Sequence, residues 1–184
     1  MDTLQLYQDI QARTKGEIYI GVVGPVRTGK STFVRRFMEQ LVVPHMKKEN
    51  SQVSKDELPV SGGGKTITTV EPKFAPAKAA ELELDEGITA KIRLIDCVGF
   101  VIDGAFGLDE NNQVRMVKTP WLKEAIPFPQ AAEIGTGKVI RDHSTVGILV
   151  TTDGTIGDFP REAYKSAVEK TVLELKKTGK PFVI

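Results

Sequence analysis

A chain of 184 residues with 40% hydrophobic and 27% charged residues can bury one substantial core and has the composition of an ordinary globular domain. Its 25 basic and 24 acidic residues nearly cancel, so the overall charge favours neither nucleic acid nor an anionic membrane as a partner. The single cysteine, Cys97, excludes an internal disulfide. Because the sequence also shows no secretory signal and no apolar run of about 18 residues, we expect a cytoplasmic location.

The first motif follows a short amphipathic helix predicted over residues 1–15 and a β-branched strand predicted over residues 18–23. Residues 24–31 match the pattern G-x-x-x-x-G-K-[ST] at every fixed position. Gly24 and Gly29 allow the backbone N–H groups to turn inward onto a polyphosphate. The apolar spacing of residues 32–43 predicts a helix whose positive end faces the same anions. Strand, loop and helix together indicate a nucleotide-binding P-loop.

Residue types within the P-loop indicate individual roles. Lys30 is expected to contact the β- and γ-phosphates, and Ser31 to place its hydroxyl on Mg²⁺. Arg27 is a candidate for supplying positive charge to the transition state, with an arginine directed into solvent as the alternative. The predicted nucleotide-binding residues of this segment are Gly24, Val26, Arg27, Thr28, Gly29, Lys30, Ser31 and Thr32.

Residues 44–72 are predicted to form a switch-like loop. Three glycines and then three threonines between residues 61 and 72 suit a segment that reorders around a γ-phosphate. A threonine hydroxyl there can complete the Mg²⁺ shell, and we predict this catalytic and metal-binding role for Thr69, with Thr66 and Thr68 as alternatives. A loop that simply leads into a strand is the competing interpretation, because threonine is common in strands.

A hairpin predicted over residues 80–96 carries the second motif. Its second strand ends in Asp96, and Gly99 follows three residues later. Asp96 is predicted to hold Mg²⁺ and the Gly99 N–H to contact the γ-phosphate, because the carboxyl ends of neighbouring parallel strands meet at one edge of a sheet. Phe100 stands where many GTPases carry a water-orienting glutamine, so the attacking water requires other groups, such as backbone groups of the two switch loops.

Residues 100–130 are predicted to be an insertion that transmits the nucleotide state to a neighbouring molecule. Residues 101–107 and 113–117 resemble two strands about a polar turn, and the proline-rich stretches 119–121 and 127–129 predict irregular structure. Trp121 and Phe128 are candidate interface anchors, but packing against their own domain is the favoured interpretation.

The remaining sequence alternates helices and strands. A helix is predicted over residues 129–143, a buried strand over 146–150, a ligand-approaching loop over 152–158, an amphipathic helix over 161–177 and a buried strand from 180. The chain is therefore predicted to be a three-layer α/β P-loop domain spanning 1–184, with a mostly parallel sheet and an antiparallel edge hairpin. It carries no Asn/Thr-Lys-x-Asp guanine motif and ends inside a predicted strand, which suggests a fragment of a longer chain.

Several sequence blocks beyond general nucleotide-binding motifs resemble the stage IV sporulation protein A family. The resemblance runs from about residue 5 to the end. It implies a morphogenetic ATPase of endospore formers with a TRAFAC GTPase-like fold. The blocks that carry it are residues 21–33, 56–59, 64–67, 71–74, 93–99 and 148–157.

This resemblance implies ATP and Mg²⁺ as cofactors and hydrolysis that drives self-assembly into the basement layer of the spore coat. Assembly is expected in the mother-cell cytoplasm, at the outer forespore membrane. The expected partners, contacted through parts beyond residue 184, are a small amphipathic membrane-bound peptide and other coat proteins. Membrane association would then be peripheral.

Residue by residue, the resemblance matches Lys30 and Ser31 to the Walker A pair, Asp96 to the Walker B carboxylate and Thr69 to a sensor threonine. Val70 stands where the family can carry a second threonine before Glu-Pro. The position of the sensor threonine is therefore uncertain by one residue, between Thr68 and Thr69. One alternative function is a regulatory or ribosome-assembly GTPase truncated before its guanine-specificity motif. Another is a structural protein that binds nucleotide without hydrolysing it.

Overall fold

A computed structural model describes residues 16–46, 57–59, 70–85, 88–102, 104–105, 107–110, 113–155 and 159–184. The helix predicted over residues 1–15 lies outside the described residues, and so do Thr66, Thr68 and Thr69. The described strands are, in chain order, β1 (Glu17–Val23), β2 (Lys73–Asp85), β3 (Ile88–Asp96), β4 (Asp109–Glu110), β5 (Gln113–Val114), β6 (Met116–Val117), β7 (Ile126–Pro127), β8 (Val146–Leu149) and β9 (Phe182–Val183). The α-helices of these ranges are α1 (Lys30–Phe37), α2 (Phe128–Lys138) and α3 (Arg161–Thr178).

The main sheet has the strand order β2-β3-β1-β8-β9 within the described residues. β1 pairs in parallel with β3 and with β8, and β8 pairs in parallel with β9. β2 pairs antiparallel with β3 at one edge, where an internal proline such as Pro76 is tolerated. The prediction of a mixed α/β domain with a mostly parallel sheet is confirmed.

Two apolar clusters cover the two faces of this sheet. On one face, α1 and its C-terminal extension pack Val34, Met38 and Val42 against β1 and β3. On the other face, α3 packs Tyr164 and Leu175, together with residues that follow α2, against alternate residues of the same strands. The layers follow from the period of two along a strand, which sends neighbouring side chains to opposite faces.

The predicted helices are present, but the residues at which they begin and end differ from the predictions. The amphipathic helix predicted over 161–177 is α3, and Gly179 ends it with a φ of 66°. The helix predicted over 32–43 is α-helical only to Phe37 and continues as a π-helical turn, Met38–Val42, which prolongs the same buried stripe. The helix predicted over 129–143 likewise changes to a π-helical turn at Val139–His143.

The segment 100–130 differs from its prediction in two ways. Residues 101–107 form no strand where they are described, and the strands of this segment are instead the short pairs β4 with β5 and β6 with β7. The prediction of irregular structure is confirmed over 119–121 and wrong over 127–129, where the end of β7 meets the start of α2. Pro127 lies on a two-stranded edge and Pro129 in the first helical turn, two places where a missing N–H is tolerated.

Two predictions about burial have opposite outcomes. Phe128 is fully buried against its own domain, which confirms the favoured interpretation of this aromatic residue. The last strand is not buried as predicted, because Val183 is 59% exposed. β9 pairs only with β8 among the described strands, so it forms the edge opposite β2.

Candidate nucleotide-binding site

The parallel register places the two sequence motifs at the same edge of the sheet. Val22 of β1 lies opposite Asp96 of β3, and Val23 lies opposite Leu149 of β8. The P-loop, which begins at Gly24, therefore emerges between the carboxyl ends of β3 and β8. This edge is where open α/β sheets bind their ligands.

The P-loop backbone takes conformations that explain its glycines. Gly24 has a φ of 136°, and a Cβ placed there would collide with the carbonyl oxygen of Val150. Gly29 has a φ of 86° and caps the N-terminus of α1. Arg27 has a positive φ of 61° without being glycine, a conformation that costs about 1 kcal/mol or more. Such strained residues concentrate at functional sites because the surrounding structure must hold them there.

Lys30 is buried within this loop. The residue is only 4% exposed, and its Nζ donates a hydrogen bond to the Pro25 carbonyl oxygen, which also accepts the Thr28 hydroxyl at 3.1 Å. Burial lowers the pKa of Lys30, because a desolvated ammonium is less stable than its neutral form. A carbonyl carries only a partial negative charge, so a phosphate group is the partner that would compensate this cation fully.

Ser31 and Asp96 face each other across the same edge. The Ser31 hydroxyl donates to Asp96 Oδ2 at 2.6 Å, and Asp96 is 8% exposed. Burial is the main cause that raises the pKa of Asp96, and the hydrogen bond from Ser31 acts in the opposite direction. Among the described residues, Asp96 Oδ1 has no hydrogen-bond partner although it is buried.

These oxygens fit a divalent cation. In the described part of the chain, no group of three or more His, Cys, Asp or Glu side chains is placed to hold a metal ion. A hydroxyl and one carboxylate with an unpartnered buried oxygen suit Mg²⁺, which is bound through few protein ligands and completes its shell with water and substrate phosphates.

The segment that follows β3 is tied directly to the P-loop. Phe100 donates its N–H to the Gly24 carbonyl at 3.2 Å and accepts the Val26 N–H at 2.9 Å. The preceding residue, Gly99, has a φ of 95°, and a Cβ there would lie 2.6 Å from Lys30 Nζ. The Asp96–Phe100 segment thus closes over the same corner that Lys30 and Ser31 occupy.

Two backbone donors of the predicted site are occupied inside the chain. The Val26 N–H is bonded to Phe100, and the Gly99 N–H donates to Thr136 Oγ1 of α2 at 3.2 Å. Sequence reasoning did not identify Thr136, because a helical threonine 37 residues from Gly99 carries no local signal of this contact. Neither N–H can reach a phosphate until its present bond breaks.

Cys97 is a packed residue beside the site. It is buried, and its thiol contacts the Val22 carbonyl oxygen at 3.5 Å. Burial raises its pKa to about 11, so the thiol stays protonated at neutral pH.

The P-loop residues predicted to bind nucleotide surround one corner of the sheet. Thr28 and Lys30 are buried, Ser31 and Arg27 are half-buried, and Thr32 is exposed in the first turn of α1. The side chain of Val26 lies in the core, so only its backbone can contribute to a phosphate site.

The loop after β8 is held by its own side chains. Thr152 Oγ1 accepts the Gly154 N–H at 3.1 Å, and Asp153 Oδ1 accepts the Thr155 N–H at 2.9 Å. A Cβ at Gly154 would lie 2.6 Å from the N of Arg161, so this glycine permits close approach to α3. An open pocket of about 700 Å³ lies between this loop and α3, and its lining contains neither P-loop residues nor Asp96.

Comparison with known proteins identifies the family to which the chain is similar. Residues 1–184 match the family described as stage IV sporulation protein A, ATPase domain. The chain is 54% identical to stage IV sporulation protein A of Bacillus anthracis over 185 residues, which cover 100% of this chain and 38% of that protein. It is 52% identical to the protein of the same name from Clostridioides difficile over 180 residues, covering 97% of this chain and 37% of that protein.

The relative of the same name from Bacillus subtilis is 51% identical over 185 residues, with 100% of this chain and 38% of that protein covered. The chain therefore spans less than two fifths of the length of these relatives. No solved structure matches the chain. None of the helices in the described ranges combines the length and the apolar character needed to cross a bilayer.

Proposed function

The chain belongs to the stage IV sporulation protein A family, whose ATPase domain it matches over residues 1–184, and on this premise we propose that it binds and hydrolyses ATP. The observation that carries the proposal is the corner where Lys30, Ser31 and Asp96 converge. A buried cation, a hydroxyl and a buried carboxylate with an unpartnered oxygen are the groups that grip a magnesium-bound triphosphate.

In this proposal Lys30 and the P-loop amides bind the phosphates, and α1 directs its positive end toward them. Ser31 and Asp96 would hold Mg²⁺, which when bound neutralises charge on the β- and γ-phosphate oxygens. Thr69 is proposed as the sensor of the γ-phosphate and as a further metal ligand, with Thr66 and Thr68 as the alternatives. Contact between a γ-phosphate and the Gly99 N–H would require Gly99 to give up its hydrogen bond to Thr136, so the triphosphate state would be linked to the loop after β3.

Positioning of the attacking water differs from the glutamine-dependent GTPases. Phe100 is buried, and Lys170 Nζ lies 5.0 Å from its ring centroid, so its side chain cannot orient a water molecule. Backbone groups of the two switch loops are proposed to do so. Arg27 is proposed to add positive charge to the transition state, and an Arg27→Ala chain that binds and hydrolyses ATP at the parent rate would exclude that role.

The architecture supports a TRAFAC GTPase-like class. The strand order β2-β3-β1-β8-β9, with only β2 antiparallel, places the P-loop between the strand that carries Asp96 and β8. The three-layer arrangement and the antiparallel edge pair are compatible with this class, which stays a proposal.

The wider role is proposed from family membership. Turnover of ATP would drive self-assembly of the basement layer of the spore coat, on the forespore surface and within the mother-cell cytoplasm. The proposed partners are other copies of the protein, a small amphipathic membrane-bound peptide and other coat proteins, with peripheral membrane association through the peptide. These partners would be contacted by the larger part of the relatives' length, which this chain does not span.

Phosphate release from the purified chain with Mg²⁺ and either ATP or GTP tests the enzymatic proposal. ATP turnover is expected to disappear in Lys30→Ala together with binding, whereas Lys91→Ala, an exposed lysine on β3, should leave both unchanged. Thr69→Ala is expected to bind ATP but not to hydrolyse it, and the same test on Thr66 and Thr68 separates the three candidates.

Preferential binding and hydrolysis of GTP would instead support the GTPase alternative. Binding of ATP without any phosphate release, in the parent chain and in Thr69→Ala alike, would refute the hydrolase proposal and leave a nucleotide-binding protein.

A further inference from the structure

The contact between Gly99 and Thr136 joins the proposed phosphate site to a helix outside it. Thr136 is 1% exposed in the middle of α2, and its Oγ1 accepts the Gly99 N–H at 3.2 Å. Gly99 itself is pressed against the P-loop, since a Cβ there would contact Gly24 O and Lys30 Nζ. The N–H that donates to Thr136 therefore belongs to a residue packed directly against the P-loop and its lysine.

We propose that Thr136 is a positioning residue that occupies the Gly99 N–H in place of a γ-phosphate when no triphosphate is bound. The inference rests on the proposed function. A single N–H makes one strong hydrogen bond at a time, so a γ-phosphate that takes this donor must displace the threonine hydroxyl. A diphosphate lacks the competing oxygens and leaves the contact in place. Thr136 thereby sets how strongly the chain distinguishes a triphosphate from a diphosphate.

The same helix also contacts the other segment expected to respond to the nucleotide. Val70, the residue that follows Thr69 in the sequence, is buried against Phe128 and Ala132 of α2. A Cβ on Gly135 would lie 2.7 Å from the Val70 carbonyl oxygen, so the helix and this backbone are in close contact. Helix α2 thus contacts both the end of the switch-like loop and the segment after β3. Loss of the Gly99–Thr136 bond would therefore be transmitted through α2 to the end of the switch-like loop.

A natural reporter lies beside this helix. Trp121 is the single tryptophan of the chain. A Cβ on Gly135 would approach its ring to 3.1 Å, and Lys138 Nζ lies 5.9 Å from its ring centroid. Movement of α2 changes the environment of this indole, so tryptophan emission reports release of the helix directly.

The binding experiment compares the parent chain with Thr136→Val, which keeps the side-chain shape but removes the acceptor. Dissociation constants for Mg²⁺-ADP and Mg²⁺-ATPγS are measured by calorimetry. We expect the ratio of the ADP constant to the ATPγS constant to rise roughly 2- to 12-fold in Thr136→Val, the range that follows from loss of one competing hydrogen bond. Thr136→Ser, which keeps the hydroxyl, should return the ratio to the parent value.

Thr171→Val is the matched control. Thr171 is a fully buried threonine of α3 whose hydroxyl donates to Ala167 O within its own helix at 2.7 Å, so its replacement should leave the ratio unchanged. An unchanged or lower ratio in Thr136→Val, or an equal rise in Thr171→Val, would overturn the inference.

The fluorescence experiment needs no substitution and so does not depend on the folding of a variant. Saturating Mg²⁺-ATPγS should shift Trp121 emission in the parent chain, and saturating Mg²⁺-ADP should shift it less. Equal responses to the two nucleotides would overturn the inference while the proposed function stands. Failure of the parent chain to bind either nucleotide would overturn the proposed function, and the inference with it.

Discussion

Alanine in place of Gly99 tests how tightly the segment after β3 is closed over the P-loop. Gly99 has a φ of 95°, and the added Cβ would collide with the Gly24 carbonyl oxygen and lie 2.6 Å from Lys30 Nζ. The segment must either accept this strain or move away from the P-loop, which breaks the bonds of Phe100 to Gly24 and Val26. In both cases we expect lower stability and weaker triphosphate binding.

The magnitude follows from two contributions. A positive φ costs an alanine about 1–2 kcal/mol, and overlap with a packed backbone adds about 1–3 kcal/mol. Gly104→Ala is the matched control, because Gly104 has a φ of 75° but its added Cβ meets only Phe159, at 3.6 Å. The two variants should therefore differ by about 1–3 kcal/mol, or roughly 2–12 °C in Tm for a chain of this size.

Thermal unfolding is measured for both variants and the parent chain, followed by calorimetric binding of Mg²⁺-ATPγS. Gly99→Ala should show the lower Tm and the weaker binding, whereas Gly104→Ala should retain the parent affinity. Equal Tm values for the two variants, together with parent-like affinity in both, would refute the close contact between Gly99 and the P-loop.

Four further outcomes are expected. Asp96→Asn removes a buried charge, so the nucleotide-free chain should keep or raise its Tm while Mg²⁺-dependent binding of ATPγS is lost; Asp109→Asn, at an exposed site, should change neither. Because burial raises the pKa of Asp96 in the folded state, the parent chain should gain stability relative to Asp96→Asn as the pH is lowered from 7 toward about 4, and an opposite slope would contradict this. Cys97 should react with a thiol reagent at pH 8 only after unfolding, since it is buried with a pKa of about 11, and rapid labelling of the folded chain would disagree. Phe128→Ala should lower the free energy of unfolding by about 3–5 kcal/mol, clearly more than Trp121→Ala at a half-buried site, and a smaller effect would exclude a core role.

The elements that sequence reasoning located best are those with a strong local pattern. The helix α3 differs from its prediction by one residue at its C-terminus, because its apolar spacing and the terminating Gly179 are both local signals. The strand predicted over 18–23 begins one residue earlier, at Glu17. In the segment 100–130, where prolines suggested irregular structure, Pro127 and Pro129 instead stand where a strand edge and a first helical turn accept them.

The blocks that carried the family resemblance also include residues whose role is structural. Leu58 is buried in the core beneath α1, and its carbonyl accepts Lys73 Nζ at 3.0 Å. Glu57 accepts the Ala77 N–H at 2.9 Å. These bonds attach part of the loop 44–72 to β2, a function that the sequence block alone did not reveal.

The amino-acid sequence by itself determined the nucleotide-binding loop and its neighbouring carboxylate. Gly24, Gly29, Lys30 and Ser31 lie in one short stretch of sequence, and a strand that ends in Asp96 can be recognised from its own few residues. Local spacing suffices there because the residues of each motif lie within a few positions of one another in the chain.

Only the tertiary structure decided what surrounds that loop. The hydrogen bond of Gly99 to Thr136, the packing of Val70 on α2 and the closure of Phe100 over the P-loop join residues far apart in the chain. Such contacts depend on how the helices pack against the two faces of the sheet. That packing is determined by the shapes of many side chains together.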